Sequence, residues 1–599
     1  MVFLGLANGV GLGILMLCGF AAILVKLYSK KRKLKTSPTI RSLLQSFPQW
    51  KYFFPAVPAF IYLCTLNLLP SVMNWHDDFE KYLKHPVRIL ATGGLQTGPF
   101  DASGESVLGG MAFLHSIALL VGSLQFVTVI DGVIAPVCAL LIFASACKHL
   151  GVHPLWTVFG TLLFLSIDPM VVNISAVYMI VLPLVVLFSA SIQAPDGEGQ
   201  YRGWILLLSL SYAALITVKS SSAFFVPLHF SLTLGAMLLA RRLTRERLKY
   251  MIFIPVVVSG MTLPWFLVHW EKLLGAFTVT QTLDASGSGI RVVSEQWEPL
   301  STEVLFYTFG ISSLTISLLL AGVFGTFIQS LFAYRKAPSP QQLMQAVNSL
   351  SVFLFFTAAM VYLVPRMNGL DAVLRYVMPF LLASSVLFFY ASSTKTKSKG
   401  RPSHLLLRAY ALVCILLFMP SLTARYLQAK ELGHVIAIPF FKDSRYIGYS
   451  QWLLGDTNKR RFIEAQLHTP ENAKLLVWSL GSYHLDYSRN SIWDVDPSGF
   501  SAPWQKFPFE GTLDSQLRFL VEHEVDSIIW QYDGFGIRTA KALRRPNLPL
   551  RVEINWGTIC FAKFLTEISK RDDLVHVVYD DGSLRVIVLK TELSTLQGK

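Results

Sequence analysis

The chain has 599 residues, of which 53% are hydrophobic and 15% charged, and a net charge of +15. Soluble domains carry about 25% charged residues, so this composition excludes an ordinary soluble enzyme and a disordered chain. A mean hydropathy of +0.49 points instead to many membrane spans. The basic excess is not a nucleic-acid face: residues 422–599 are nearly neutral, with 22 basic and 21 acidic side chains, and the excess lies in short loops before them, where it acts as a topology signal.

Apolar runs recur along the chain at 5–25, 52–71, 126–147, 154–168, 173–192, 203–218, 221–240, 250–270, 304–332, 347–364, 374–391 and 404–421. At roughly 17–25 residues per span the count is about twelve. The first run has no basic residues before it and no small-residue cleavage site after it, and Lys30-Lys31-Arg32-Lys33 follow. It reads as a retained span with an outside N-terminus. The segment 106–123 is apolar too, but Gly109-Gly110 and its polar flanks suit a helix lying at the membrane interface. With 26–51 placed on the cytoplasmic side and the sides alternating from there, the inner segments hold 22 of the 30 basic residues before 422. The outer side then holds 13 of the 16 acidic ones, the positive-inside pattern.

Beyond residue 421 the pattern changes. Lys474–Leu480 and Val525–Trp530 read as short buried strands, with an amphipathic helix at Leu513–Glu522 between them. Leu574–Tyr579 and Ser583–Leu589 flank Asp580-Asp581-Gly582, a hairpin signal. The expected fold is a polytopic α-helical membrane protein with a C-terminal extracytoplasmic α/β domain. Residues 1–421 would form the membrane domain, with outer loops at 72–125 and 271–303, and residues 422–599 the soluble domain. The six cysteines include no spacing that suggests zinc.

The first outer loop carries Trp75-His76-Asp77-Asp78-Phe79-Glu80-Lys81-Tyr82 just after a span, ahead of an amphipathic stretch running to about Leu95. Adjacent carboxylates repel, so a cation or hydrogen bonds must hold both ionised. The pair suits a general base beside a metal-ligating or acceptor-orienting carboxylate. It equally suits a cap on an interfacial helix, whose N-terminus favours acids. Lys81, Lys84, His85 and Arg88 are expected on the solvated or headgroup face of that helix.

Asp-Asp in this position, with Leu95-Gln96-Thr97-Gly98-Pro99-Phe100-Asp101 and Gly109-Gly110 after it, resembles the GT-C superfamily of integral-membrane glycosyltransferases. That superfamily includes protein O-mannosyltransferases, the oligosaccharyltransferase catalytic subunit and the lipid A aminoarabinose transferases. The likeness in layout covers the whole chain. In motif it covers mainly residues 75–110, with weaker support at 168–178 and 366–380. The acidic loop follows the second span here, whereas in many relatives it follows the first.

The resemblance implies a GT-C-like transferase using a sugar on polyprenyl phosphate at the extracytoplasmic face. It implies catalytic roles for Asp77 and Asp78. Asp168, in Ser166-Ile167-Asp168-Pro169, would orient the acceptor or join Asp77 in holding a divalent cation such as Mg or Mn. The alternative for Asp168 is a helix end before proline. A donor phosphate needs cations on the same face, and the candidates are Arg375, Lys219 and Arg366. Their alternatives are snorkelling to the interface or, for the arginines, pairing with Asp371. Asp131 reads as interfacial. Trp493-Asp494-Val495-Asp496 and Trp530-Gln531-Tyr532-Asp533 read either as sugar-stacking positions or as ordinary surface loops.

The expected activity is transfer of a hexosyl or pentosyl unit, with inversion, from the lipid donor to a glycan, lipid or protein outside the cytoplasm, most naturally in the cell envelope of a bacterium with the chain in its inner membrane. The expected partners are that donor, that acceptor and membrane lipids, with no nucleic acid. Two readings from other classes stand beside it: a transporter or flippase of lipid-linked sugars, and a non-catalytic polysaccharide-assembly subunit.

Overall fold

The computed structural model describes residues 78–94, 109–122, 127–167, 177–193, 198–219, 222–240, 247–263, 313–336, 339–363, 370–394, 454–495, 507–508, 511–532 and 556–590, with a few single positions besides. The expected spans 5–25 and 52–71, nearly all of 404–421, the loop 271–303 and the boundary at 421/422 lie outside them. The other nine expected spans each fall on a described helix.

Among the described residues two short helices come first: α1 (Lys84–Thr92), entered through one turn of π-helix at Asp78–Tyr82, and α2 (Gly110–Val121). Gly93, in the left-handed region at φ 78°, ends α1, three residues before its expected limit. At 12 residues, α2 rises about 18 Å, short of the ~30 Å hydrocarbon core.

The membrane part follows. A continuous helix runs Val127–His149, with a π-turn at Ile130–Ile134 and α3 (Ala135–His149) after it. Then come α4 (Pro154–Ser166), α5 (Val177–Ile192), α6 (Glu198–Val218), α7 (Ser222–Leu239), α8 (247–263), α9 (Ser313–Lys336), α10 (Pro340–Leu363) and α11 (Leu370–Thr394). Six described helices are long and apolar enough to cross a membrane, and the chain is an integral membrane protein. Helix α5 is apolar on every side, and Val181, Leu184, Val185, Leu187 and Phe188 are all fully buried. A helix of that kind belongs at the centre of a bundle; it packs on α3, α6, α10 and α11. Peripheral helices turn apolar side chains outward, as with Phe332 on α9, Phe253 on α8 and Leu239 on α7.

Apolar contacts alone give little drive for helix association in lipid, so polar groups act as glue. His229 on α7 accepts at Nδ1 from Tyr212 Oη of α6 at 2.6 Å, and its Nε2–H donates to Asn348 Oδ1 of α10 at 2.8 Å. Asn348 Nδ2 donates to the Phe188 carbonyl of α5 at 3.2 Å. Both imidazole nitrogens are thus used by the neutral ring, and four helices are tied together.

The C-terminal part holds a five-stranded sheet in the order β2-β1-β3-β5-β4. Its strands are β1 (Lys474–Trp478), β2 (Ser491–Asp494), β3 (Ser527–Gln531), β4 (Val575–Asp580) and β5 (Leu584–Leu589). β1 runs parallel to β2 and β3, while β5 is antiparallel to β3 and β4. Side chains alternate across a strand. Leu476, Ile528 and Ile587 therefore meet α13 (Leu513–Glu522) and α14 (Trp556–Ile568) on one face. Leu475, Val477, Ile529 and Val586 meet Phe462 of α12 (Asp456–Leu467) on the other. The hairpin closes as expected: Asp580 Oδ1 accepts from the Gly582 N–H at 3.0 Å, and Gly582 takes φ 87°, where a side chain is strained. Strand β2 and helices α12 and α14 had no clear sequence signal.

Candidate functional site

Asp78 opens the π-turn before α1 and is fully buried. Single π-turns are uncommon and concentrate at functional sites. Its neighbour Phe79 is also fully buried and packs with Leu83, Val127 and Tyr483, which fixes the turn against the start of the helix that carries Asp131. Asp77 lies outside the described residues.

Asp131 sits in the second π-turn and is 2% exposed. It lies near the start of the helix Val127–His149 and is packed inside the protein. His115 of α2 donates from Nε2 to its Oδ2 at 2.5 Å, and a buried acid inside an apolar helix needs such a partner. The Lys219 charge also acts on Asp131. Lys219 follows the end of α6 and places its Nζ 5.0 Å from the ring centroid of Tyr376, a cation–π distance. Tyr376 follows Arg375 in α11.

Helix α2 joins this arrangement through a glycine. A Cβ on Gly110 would stand 2.5 Å from the Thr217 carbonyl oxygen of α6, so only glycine permits the approach. The described groups are linked in steps: Phe79, next to Asp78, packs with Val127; Asp131 pairs with His115; the Lys219 charge acts on Asp131, and Lys219 lies over the Tyr376 ring.

Of the residues expected at a site, Asp78 and Lys219 fall among these groups. The Arg375 backbone lies one residue from Tyr376, while Asp168 and Arg366 lie outside the described residues. The cation ligands proposed from sequence, Asp77 and Asp168, are thus not described. Among the described residues no three His, Cys, Asp or Glu side chains group as metal ligands.

Two expectations are corrected. Lys84, His85 and Arg88 are not on a solvated face, being 0%, 1% and 1% exposed. The reason is that α1 lies against the C-terminal sheet. Arg88 Nη2 forms an ion pair with Asp494 of β2 and donates to the Ile492 carbonyl at 3.2 Å. Its guanidinium also lies 4.9 Å from the Tyr487 ring centroid. Asp494 and Trp530 belong to no surface loop, since both are strand residues 2% exposed. Tyr532 of the same stretch donates to Asp580 at 2.7 Å and lies under Arg585. Tyr178, in the weaker stretch of resemblance, is spent on the carbonyls of Phe164 and Ile167.

His115 and Tyr487 escaped the sequence reading. The signal for His115 was an isolated histidine in an apolar segment, with Asp131 isolated in the next.

A cleft of about 640 Å³ opens between the first-loop helices and the C-terminal domain. Val87, Leu119 and Leu124 form one wall, and Lys459, Asp486 and Arg489 stand on the other. The Ser488 hydroxyl, donating at 2.5 Å, holds the Asp486 carboxyl below its ordinary value. Tyr487 donates to Asp494 at 3.1 Å. Burial, together with the Asp494 charge, raises its phenol well above the usual range, so it remains a donor.

No family model matches the chain, and no curated protein matches it. Among solved structures it is similar to ArnT from Cupriavidus metallidurans bound to undecaprenyl phosphate. The identity there is 15% and the TM-score 0.45, over 91% of this chain and 98% of that one. It is also similar to the oligosaccharyltransferase AglB from Archaeoglobus fulgidus in complex with an inhibitory peptide and a dolichol-phosphate. There the identity is 11% and the TM-score 0.46, over 91% of this chain and 75% of that one. A further structure of the Archaeoglobus fulgidus oligosaccharyltransferase, a complex with Zn and sulfate, is 12% identical at a TM-score of 0.40, over 80% of this chain and 68% of that one. At these values no residue's role carries across.

Proposed function

We propose that the protein is a membrane glycosyltransferase that moves a sugar from a polyprenyl-phosphate donor to an extracytoplasmic glycan, lipid or protein acceptor. The observation that carries this reading is the set of linked steps from Asp78 through Asp131 to Lys219 and Tyr376. In this reading an acid, a cation and an aromatic ring lie toward one end of the helical bundle, where the donor headgroup would enter.

In this reading Asp78, with Asp77 beside it, takes a proton from the acceptor hydroxyl or amine as that group attacks the anomeric carbon. The bond from that carbon to the phosphate oxygen breaks, and the electron pair leaves with the lipid phosphate. Lys219 and Arg375, with Arg366, offset its charge. A single displacement inverts the anomeric centre. Asp168 orients the acceptor or, with Asp77, holds a divalent cation. The cleft under α1 gives the acceptor a route in, with an apolar wall toward the membrane helices and a charged wall on the C-terminal domain. Basic residues at the opposite helix ends, such as Lys148, Arg202, Arg335 and Lys336, support a cytoplasmic side there and the site and C-terminal domain outside, as in an inner membrane.

The test incubates the purified protein with a panel of polyprenyl-phosphate sugars and acceptors and scores free lipid phosphate together with the anomeric configuration of the product. Inverted product from one donor supports the proposal. Movement of the donor across acceptor-free liposomes, without release of lipid phosphate, replaces it with the flippase reading.

A further inference from the structure

The acid-bearing turn is gripped at two points by the C-terminal domain. At one end, Phe79, next in sequence to Asp78, packs on Tyr483 with ring centroids 5.7 Å apart. At the other, Arg88 lies in a pocket made by one short segment of that domain. Asp494 pairs with its guanidinium, the Ile492 carbonyl accepts a second bond, and the Tyr487 ring lies 4.9 Å away. Tyr487 Oη then donates back to Asp494 at 3.1 Å. Every side chain in this set is nearly inaccessible: Arg88 1%, Asp494 2%, Tyr487 4%, Tyr483 2% and Phe79 0% exposed.

Taking a guanidinium and a carboxylate out of water is costly, and an apolar contact of the same size would hold two elements together as well or better. What the ion pair adds is direction. A planar fork aimed at one carboxylate and one carbonyl fixes the rotation and register of α1 against β2. Phe79 on Tyr483 fixes the other end. Asp78 and Arg88 stand on one nearly continuous helical segment about 15 Å long at 1.5 Å per residue, so clamping both ends sets where the Asp78 carboxylate points.

We infer that the C-terminal domain is a clamp on the first-loop helix, and that Arg88, Asp494, Tyr487 and Tyr483 are positioning residues for Asp78. This rests on the proposed transferase reading for its kinetic consequence but not for the clamp itself. Only if the domain stays docked is the acid aligned with its acceptor. A docked domain also shapes the cleft beside Val87, so site geometry and acceptor entry depend on one contact.

Two measurements on the full-length protein separate the clamp from the transferase reading. Hydrogen exchange is compared between wild type and Asp494→Asn. The clamp predicts at least tenfold faster exchange across residues 78–92, with β3 (Ser527–Gln531) unchanged. Equal exchange at 78–92 overturns it, whatever the protein's activity. The second measurement is steady-state transfer by Asp494→Asn and by the double variant Arg88→Met with Asp494→Leu, which removes both charges and leaves none buried alone. The inference predicts that both fall at least tenfold in kcat with the donor KM unchanged. If the double variant folds and recovers wild-type kcat, the pair is structural only and the positioning role is refuted. If wild type transfers from no donor while exchange responds as stated, the clamp stands and the transferase reading fails.

Discussion

Asp78 is a carboxylate with no exposed surface, placed in an uncommon π-turn beside a second acid in sequence. If it is the general base, Asp78→Asn lowers kcat roughly 10²- to 10⁴-fold, the range for removing such a group, while the donor KM holds. A full rate from this variant with loss in Asp77→Asn moves the base to Asp77. Lys219 is charged and half-buried against Tyr376, and it has Asp131 within electrostatic reach. If Lys219 holds the donor phosphate, Lys219→Met raises the donor KM by roughly tenfold or more; an unchanged KM excludes it as a phosphate ligand. Asp486, at the cleft, is held below its ordinary value by the Ser488 hydroxyl. Its contribution to stability is therefore complete above the unfolded carboxylate pKa of about 3.9 and lost as pH falls through the lower folded value. The Asp486→Asn variant is predicted to lose stability less steeply than wild type between pH 4 and pH 2, read by thermal unfolding. An identical slope contradicts that assignment.

At the scale of elements, two glycines give sharp expectations. Gly110→Ala puts a Cβ 2.5 Å from the Thr217 carbonyl and pushes α2 off α6. The expected cost is about 1–3 kcal/mol, with transfer reduced because α2 also carries His115. Gly582→Ala at φ 87° meets no neighbour, and its cost of about 1–2 kcal/mol comes from backbone strain alone. Chemical denaturation of both variants checks the difference in origin, since only the first disturbs transfer.

These elements also show what was legible in the sequence. Nine apolar runs fell on described helices, and six of those helices are long and apolar enough to cross a membrane, because hydrocarbon thickness asks for long apolar runs. The helix Leu513–Glu522 and the Asp-Asp-Gly hairpin were legible because local chemistry sets them. Strand β2 was not: four residues, Ser491–Asp494, carry too little alternation to register. The buried state of Arg88 was equally hidden. Its partner lies 406 positions away, and nothing local tells a docked basic residue from a solvated one. Asp78 stood out in the sequence through its Asp-Asp motif, while the His115–Asp131 pair arises only once two apolar segments meet.

At the scale of the whole molecule, a bundle built around an apolar central helix carries the His115–Asp131 pair and the Lys219–Tyr376 contact. A sheet domain holds the acid-bearing turn at both ends. Within the bundle, buried Tyr212, His229 and Asn348, together with the Phe188 carbonyl, join four helices. The central claim is that the first-loop acids act on a lipid-borne sugar. The most direct test is release of polyprenyl phosphate from its sugar conjugate, in the presence of acceptor, by wild type and by the double variant Asp77→Asn with Asp78→Asn at equal folded concentration. Release by wild type and its loss in the double variant is the predicted result; equal release by both would contradict the account.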